Sequence, residues 1–436
     1  MLISITYLGE KRYVTQFPFM LIINRHLMES VFFGVSFSGK CKKACNPPEG
    51  ENAFRLFLFV RRDKMETERV FNFSAGPSMM PLEVLEKAQK DLLCYPGAGC
   101  SVMEMSHRSP SFEEIIGNTN ATLRRIMNIP DDYEVLFMQG GATTQFSMIP
   151  MNLGSQGDTF CYMQTGQFAS KAKEEGDRWG NAVYVASSKA DNYSYIPTCG
   201  ELPEDAKFLH ITGNNTIFGV AFNDYERVLP KSVLPQNGEN SKIPLVADWS
   251  SAILGKWIDV DKHGIIYAGA QKNMGPAGLA VVIIRKDLLE RELDPVVPIM
   301  LRYKVAADHG SMYNTPPTFS IYMAGLMYEW VEKMGGVKEM EKINIEKSSM
   351  LYDFIDNSKV FSNPVNPLDR SIMNVTFTLP SKQDTEDFLK LCKDNGMINL
   401  KGHRVVGGCR ASIYNGMPVE GVKKLLELMK KYEANY

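Results

Sequence analysis

From Met65 onward the apolar positions of the chain fall into two regimes. Stretches such as Pro81 to Leu93 and Ser111 to Met127 carry them at helical spacing, and short apolar runs lie between such stretches. The runs predict strands at 133–138, 182–186, 208–211, 245–247, 265–268 and 279–284. Helices interleaved with strands of buried type imply an α/β fold with a mostly parallel sheet, and in such sheets ligands sit at the carboxyl ends of the strands. After the Pro-containing loop 310–318, a helical pattern runs from about Phe319 to Tyr352 and predicts a link to a smaller C-terminal α/β domain. That domain is expected to hold strands at 373–379 and near 404–414, a helix at 385–395 and a closing helix from Val419. The expected division is an N-terminal extension, 1–64, a large domain, 65–325, whose residues 65–81 form an arm, and a small domain, 326–436.

Residues 1–64 depart from this regularity. Their apolar bursts, Phe17 to Ile23 and Phe54 to Val60, are separated by basic residues and by the loop-like run Asn46-Pro47-Pro48-Glu49-Gly50. Both fall short of the roughly 18 apolar residues of a spanning helix, and no small-residue cleavage site follows the first. The expectation is that Met65 is the functional start. An organellar targeting role for 1–64 is the alternative.

With 436 residues the chain exceeds one compact core and has room for a cleft between two domains. Lys+Arg at 48 against Asp+Glu at 50 leaves a net charge of -2, so no global field draws it to nucleic acid or an acidic membrane, and any anion site is local. The eight cysteines, at 41, 45, 94, 100, 161, 199, 392 and 409, include no C-x-x-C pair, and with six scattered histidines they build no zinc spacing. A disulfide framework is not expected in so large a chain, and a reducing, cytoplasmic setting fits best.

Candidate chemistry concentrates at three strand ends. The strand-like run before Gly269 turns through small residues, presents Lys272, and continues into Gly275 and Gly278, where backbone can pass close to a bulky group. Alone, Lys272 reads equally as a solvated loop lysine. Upstream, Leu245-Val246-Ala247 ends on Asp248, a carboxylate that needs a cationic partner if buried and that otherwise reads as a helix N-cap. Pyridoxal phosphate requires such a pair: an acid at its ring nitrogen and a lysine for the Schiff base. The run Gln139-Gly140-Gly141-Ala142-Thr143-Thr144 supplies a glycine turn between strand and helix, suited to a phosphate monoester; it is neither a Walker A sequence nor a G-x-G-x-x-G fingerprint.

Beyond these residues, the runs FNFSAGP (71–77), SVMEMSHRS (101–109), YAGAQKNMGPAGL (267–279), NTPPTF (314–319) and KGHRVVGGCRASIYN (401–415) resemble those of the phosphoserine aminotransferase family. The resemblance extends from Val70 to the C-terminus. It implies fold type I, with a large domain built on a mostly parallel seven-stranded sheet, and a homodimer with active sites at the subunit interface. It also implies pyridoxal 5'-phosphate as cofactor and amino transfer between L-glutamate and 3-phosphohydroxypyruvate in serine biosynthesis, giving O-phosphoserine.

Carried onto this chain, the resemblance makes Lys272 the catalytic residue that holds the cofactor and shuttles the proton, with Asp248 on the pyridine nitrogen and Thr216 on the phenolic oxygen. Ala142, Thr143, Ser250 and Gln271 would hold the cofactor phosphate, joined by Asn314 and Thr315 of the neighbouring subunit. Phe168 stands where the family pattern has tryptophan, and Thr143 where it has arginine; backbone N–H groups and ring stacking survive both changes, with less stacking area. Arg410 would take the substrate α-carboxylate. His403 and Arg404, with His107 and Arg108 from the other subunit, would grip the distal phosphate or the glutamate side chain, since arginine offers bidentate geometry to either anion. No metal is implied. The competing readings are another fold type I enzyme, of the alanine-glyoxylate aminotransferase or cysteine desulfurase type, and a binding protein without catalysis. A desulfurase needs a mobile nucleophilic cysteine, whereas Cys409 lies in a strand-like motif.

Overall fold

Alternation of side chains within one sheet builds the two main cores of this protein, as its computed structural model shows. Described are residues 69–436 except 237, and the backbone of three strands further upstream. The latter, Ser4–Leu8, Lys11–Gln16 and Phe19–Ile23, form an antiparallel meander. It belongs to a unit, Met1–Arg69, separate from Val70–Tyr436. The remaining expectations for 1–64, including Phe54 to Val60, Cys41 and Cys45, lie outside the described residues.

In the second unit seven strands form the central sheet: β1 (Tyr133–Gln139), β2 (Thr159–Gln164), β3 (Asn181–Ser187), β4 (Leu209–Thr212), β5 (Leu245–Asp248), β6 (Ile265–Gly269) and β7 (Leu279–Arg285). Their order is β1-β7-β6-β5-β4-β2-β3, and β7 alone runs antiparallel to its neighbours. Helices α1 (Leu82–Asp91), α2 (Pro110–Met127), α3 (Gly141–Leu153) and α4 (Gln167–Trp179) accompany these strands in sequence. Val135, Ile211, Ala247 and Val281 face one core with α2; Leu136, Val246, Tyr267 and Val282 face the other with α3. Both faces are covered, which is why β5, β6 and β7 are buried at every position and read as unbroken apolar runs.

The long helical pattern expected from Phe319 to Tyr352 is two helices, α5 (Thr318–Lys333) and α6 (Val337–Asn357). Gly335 and Gly336 part them with φ of 99° and 82°, a left-handed conformation that only glycine adopts without strain. Val337 and Met340 of α6 pack into the sheet's core, whereas Leu351, Tyr352 and Ile355 enter a third core. There β8 (Asn374–Phe377) pairs antiparallel with β9 (Cys409–Ser412), beside α7 (Lys382–Asp394) and α8 (Val419–Ala434). The strand expected near 404–414 is therefore shorter, because 403–407 is occupied by a turn in which the His403 carbonyl accepts from the N–H of Val406 and Gly407. Phe73 from the N-terminal arm is buried in this third core, and Phe71–Asn72 pairs with Met397–Ile398.

Candidate active site

Three adjacent strands end at one edge of the sheet, and each delivers one candidate group. β5 finishes on Asp248, β6 leads from Gly269 through Ala270 and Gln271 to Lys272, and β4 leads from Thr212 through Asn214–Asn215 to Thr216. Because β4, β5 and β6 are parallel, their carboxyl ends coincide, and acid, amine and hydroxyl converge.

Asp248 is buried, and its Oδ1 accepts from the N–H (2.9 Å) and the hydroxyl (2.5 Å) of Ser250. The Ser250 hydroxyl accepts in turn from the N–H of Gly269 at 2.9 Å, tying β5 to β6. Burial raises the carboxyl above its ordinary range, against the opposing pull of the Lys272 charge and of the Ser250 hydrogen bonds. No described residue donates to Oδ2. A carboxylate at a buried strand end is costly without a cation beside it, and a cationic ring nitrogen at the free Oδ2 relieves that cost.

Lys272 Nζ donates to Thr216 Oγ1 at 2.7 Å and lies 5.2 Å from the centre of the Phe168 ring, which opens α4. Burial pushes this ammonium down to about 8; Asp248 acts upward and Arg410 downward. An amine in that range is partly neutral near physiological pH, the form that attacks a carbonyl. The N-terminal arm braces the turn from above, with the Ser78 N–H donating to the Gln271 carbonyl at 3.0 Å and the Ser78 hydroxyl to the Lys272 carbonyl. Arg410, on β9, donates from Nη1 to the Thr216 carbonyl at 3.2 Å, while its Nε is buried without a partner. A guanidinium held in this way has an unused donor for a carboxylate.

At the same edge, β1 ends at Gln139, paired with Leu279 of β7. Gly140 turns the chain with φ of 87° into α3, and Ala142 and Thr143 occupy its first turn, where backbone N–H groups have no carbonyl within the helix. His403 is half-buried and Arg404 exposed, both in the turn before β9. Burial lowers His403, and Arg410, Arg404 and Lys171 push it further down. Hence Thr216, Asp248, Ser250, Lys272, Phe168 and Arg410 are brought together. No hydrogen bond or ion pair among the described residues joins His107, Arg108, Asn314 or Thr315 to that group. His107 is half-buried with an unpartnered Nε2, Arg108 is exposed, and the Thr315 carbonyl accepts from Gln139 Nε2 at 3.0 Å. Exposed Asn314 lines, with Gly140 and Thr144, a cavity of about 430 Å³.

Sequence reasoning missed the buried amides behind the site. Asn374, first residue of β8, donates to the Ser412 hydroxyl (3.0 Å) and the Tyr414 hydroxyl (3.1 Å) and accepts from Asn214 Nδ2 (2.9 Å). Asn214 also donates to Ser251 at 2.7 Å, and the Tyr414 hydroxyl donates to the Ala75 carbonyl of the arm at 3.0 Å. One side chain thereby couples the strand of Arg410 to the segments of Thr216 and Asp248. An asparagine opening a strand with Val375 and Phe377 was the available signal, since a buried amide must find partners.

The residues 70–425 match the family model for aminotransferase class V. The chain is 50% identical over 368 residues to the phosphoserine aminotransferase of Bacillus cereus, covering 84% of this chain and 99% of that one. The solved phosphoserine aminotransferase from Bacillus circulans subsp. alkalophilus superposes with a TM-score of 0.79 at 42% identity, over 85% of this chain and 99% of its own. That from Trichomonas vaginalis, solved with PLP bound, gives 0.77 at 37%, over 83% and 100%.

Proposed function

This chain belongs to the class-V aminotransferases, within the phosphoserine aminotransferase family, and from that membership we propose how its residues divide the work. The reaction is reversible amino transfer from L-glutamate to 3-phosphohydroxypyruvate, giving O-phospho-L-serine and 2-oxoglutarate. The observation that carries this reading is the convergence of Lys272, Thr216 and Asp248 at three adjacent strand ends, with the buried, unpartnered Nε of Arg410 beside them.

The cofactor is pyridoxal phosphate. The residues fit it: Asp248 Oδ2 lacks a donor where a ring nitrogen needs an acid, and the first turn of α3 offers free N–H groups to a phosphate. When bound, it supplies a carbonyl that exchanges the amino group and a ring that accepts electron density. Lys272 Nζ takes the proton from the substrate Cα and returns it, and Thr216 orients that amine. Asp248 would keep the ring nitrogen protonated, Phe168 would cover a ring face, and Ala142, Thr143, Ser250 and Gln271 would hold the cofactor phosphate. Arg410 grips the α-carboxylate. His403 and Arg404 would bind the distal anion with His107 and Arg108 of a second copy, and Asn314 and Thr315 would reach the neighbouring cofactor phosphate. The exposure of Arg108, Asn314 and Thr315 supports this homodimer.

We further propose a cytoplasmic enzyme of a large and a small domain; the boundary expected at 325–326 falls inside α5, and because Leu326, Val331, Val337 and Met340 still pack in the sheet's core, the small domain begins within α6. Among the described residues no helix is long and apolar enough to cross a membrane. A desulfurase is disfavoured because Cys409 is buried in β9 and burial raises its thiol far above the reactive range. The test is the visible absorbance of the cofactor in purified protein, which glutamate should abolish within a half-reaction. Absorbance unmoved by glutamate would contradict transamination.

A further inference from the structure

Ile253-Leu254-Gly255, a turn that follows Asp248 after β5, presents three successive carbonyls to three buried asparagines. Ile253 accepts from Asn273 Nδ2, Leu254 from Asn415 Nδ2 and Gly255 from Asn344 Nδ2, each at 2.9 Å. Asn273 directly follows Lys272, Asn415 lies just past β9, which carries Arg410, and Asn344 belongs to α6. The three residues also bond in series: Asn344 Nδ2 donates to Asn415 Oδ1 at 2.8 Å, and the Asn415 N–H donates to Asn273 Oδ1 at 2.9 Å. Leu254 has φ of 62°, a left-handed conformation uncommon for a branched side chain, so its contacts rather than local preference hold the turn. Gly255 admits no side chain, since an added Cβ would stand 2.7 Å from Asn273 Nδ2 and 2.9 Å from Asn415 Oδ1.

Resting on the functional reading above, we infer that Asn273 is a positioning residue that sets Lys272 in register with Arg410. Arg410 fixes the α-carboxylate and hence Cα, and Lys272 Nζ must reach the proton on that carbon. At rest the two side chains meet at Thr216, whose hydroxyl takes Lys272 Nζ and whose carbonyl takes Arg410 Nη1. Those contacts lapse when Arg410 turns to a carboxylate and Lys272 to a proton. Asn273 does not let go, because neither of its partners touches substrate. Among the described residues, its bond to the Asn415 N–H is the only hydrogen bond between the Lys272 turn and the segment after β9. The amide also ties that turn to the Asp248 segment through Ile253. One side chain therefore joins the backbones that carry base, acid and carboxylate grip.

The test compares the holoenzyme with Asn273→Ala, Asn273→Asp and Asn344→Ala, the last a control that frees another carbonyl of the same turn without touching the segment of Lys272. Asn273→Ala should slow the glutamate half-reaction about ten- to a hundredfold, the scale of a misplacement of about 1 Å. The isotope effect from glutamate deuterated at Cα should be undiminished, since the slowed step is removal of that proton. Calorimetric affinity for 3-phosphoglycerate, which engages Arg410 but has no amino group to react, should stay near wild type. Asn273→Asp keeps the acceptor for Asn415 and, once protonated, the donor for Ile253, so its deficit should be smaller and should narrow as pH falls; it carries the same comparison if Asn273→Ala does not fold. Asn344→Ala should lower the thermal midpoint, for it too leaves a buried carbonyl unpaired, and leave the half-reaction near wild type. Wild-type rates in Asn273→Ala, an isotope effect falling to unity, an equal loss of rate in Asn344→Ala, or an Asn273→Asp deficit matching that of Asn273→Ala at every pH overturns the assignment. A wild-type chain whose cofactor absorbance ignores glutamate overturns the functional reading itself, and this inference with it.

Discussion

The floor of the site and the turn that faces it satisfy their charges in opposite ways. On the floor, Asp248 is bonded to Ser250, Ser250 to Gly269 and Lys272 to Thr216, so the catalytic groups are held by strand ends and by one another. In the 403–407 turn, Arg404 is exposed without an acid partner among the described residues, and burial, then neighbouring cations, lower His403. The floor is preorganised for a resident group, whereas the turn is left charged for a transient one. The contrast places chemistry on rigid strand ends and recognition on an exposed loop.

The strongest break in that contrast is Lys272→Ala. Transamination should disappear while the far-ultraviolet circular dichroism and thermal midpoint stay near wild type, because the lysine serves chemistry and its loss leaves no large cavity. Substantial turnover in this variant would remove Lys272 from its role.

A second comparison separates the two anion groups. Arg410→Ala should weaken phosphoserine, glutamate and alanine alike, by about ten- to a hundredfold, since each carries an α-carboxylate. Arg404→Ala should weaken phosphoserine by a similar factor and spare alanine. Spectral titration of each variant with the three amino acids checks this, and equal losses for Arg404→Ala would merge what the account keeps apart.

The pH response of the floor gives a smaller effect. Lys272 is pushed down to about 8, so its neutral, nucleophilic fraction grows as pH rises through that value and levels off above it. Reconstitution of cofactor-free protein should therefore quicken by up to about tenfold per unit below pH 8 and then flatten. A rate flat from pH 6 to 9 would place the amine elsewhere. The smallest effect is expected upstream. A chain beginning at Met65 should match the full chain in turnover and thermal midpoint, since every site residue lies beyond it, and loss of activity would assign 1–64 to the fold.

Much of the floor was legible from sequence because buried strands announce themselves. The runs ending at Ala247 and Ala268 reappear as β5 and β6, with Asp248 and Lys272 at or just beyond their ends. Other features were hidden for physical reasons. The break between α5 and α6 depends on left-handed backbone at Gly335 and Gly336, which apolar spacing does not report. Asn214 and Asn374 meet across 160 positions of sequence, and the strand of Arg410 is anchored through that contact. No spacing rule anticipates such meetings, because tertiary packing decides them.

The central claim is that the charged turn recognises a phosphate while the floor transfers an amino group. It is tested most directly by assaying glutamate-dependent amino transfer to 3-phosphohydroxypyruvate, pyruvate and glyoxylate side by side. The account predicts kcat/KM for 3-phosphohydroxypyruvate at least about a hundredfold above either unphosphorylated acceptor, as loss of one or two charge-assisted contacts implies. Equal or greater kcat/KM with pyruvate or glyoxylate would contradict it.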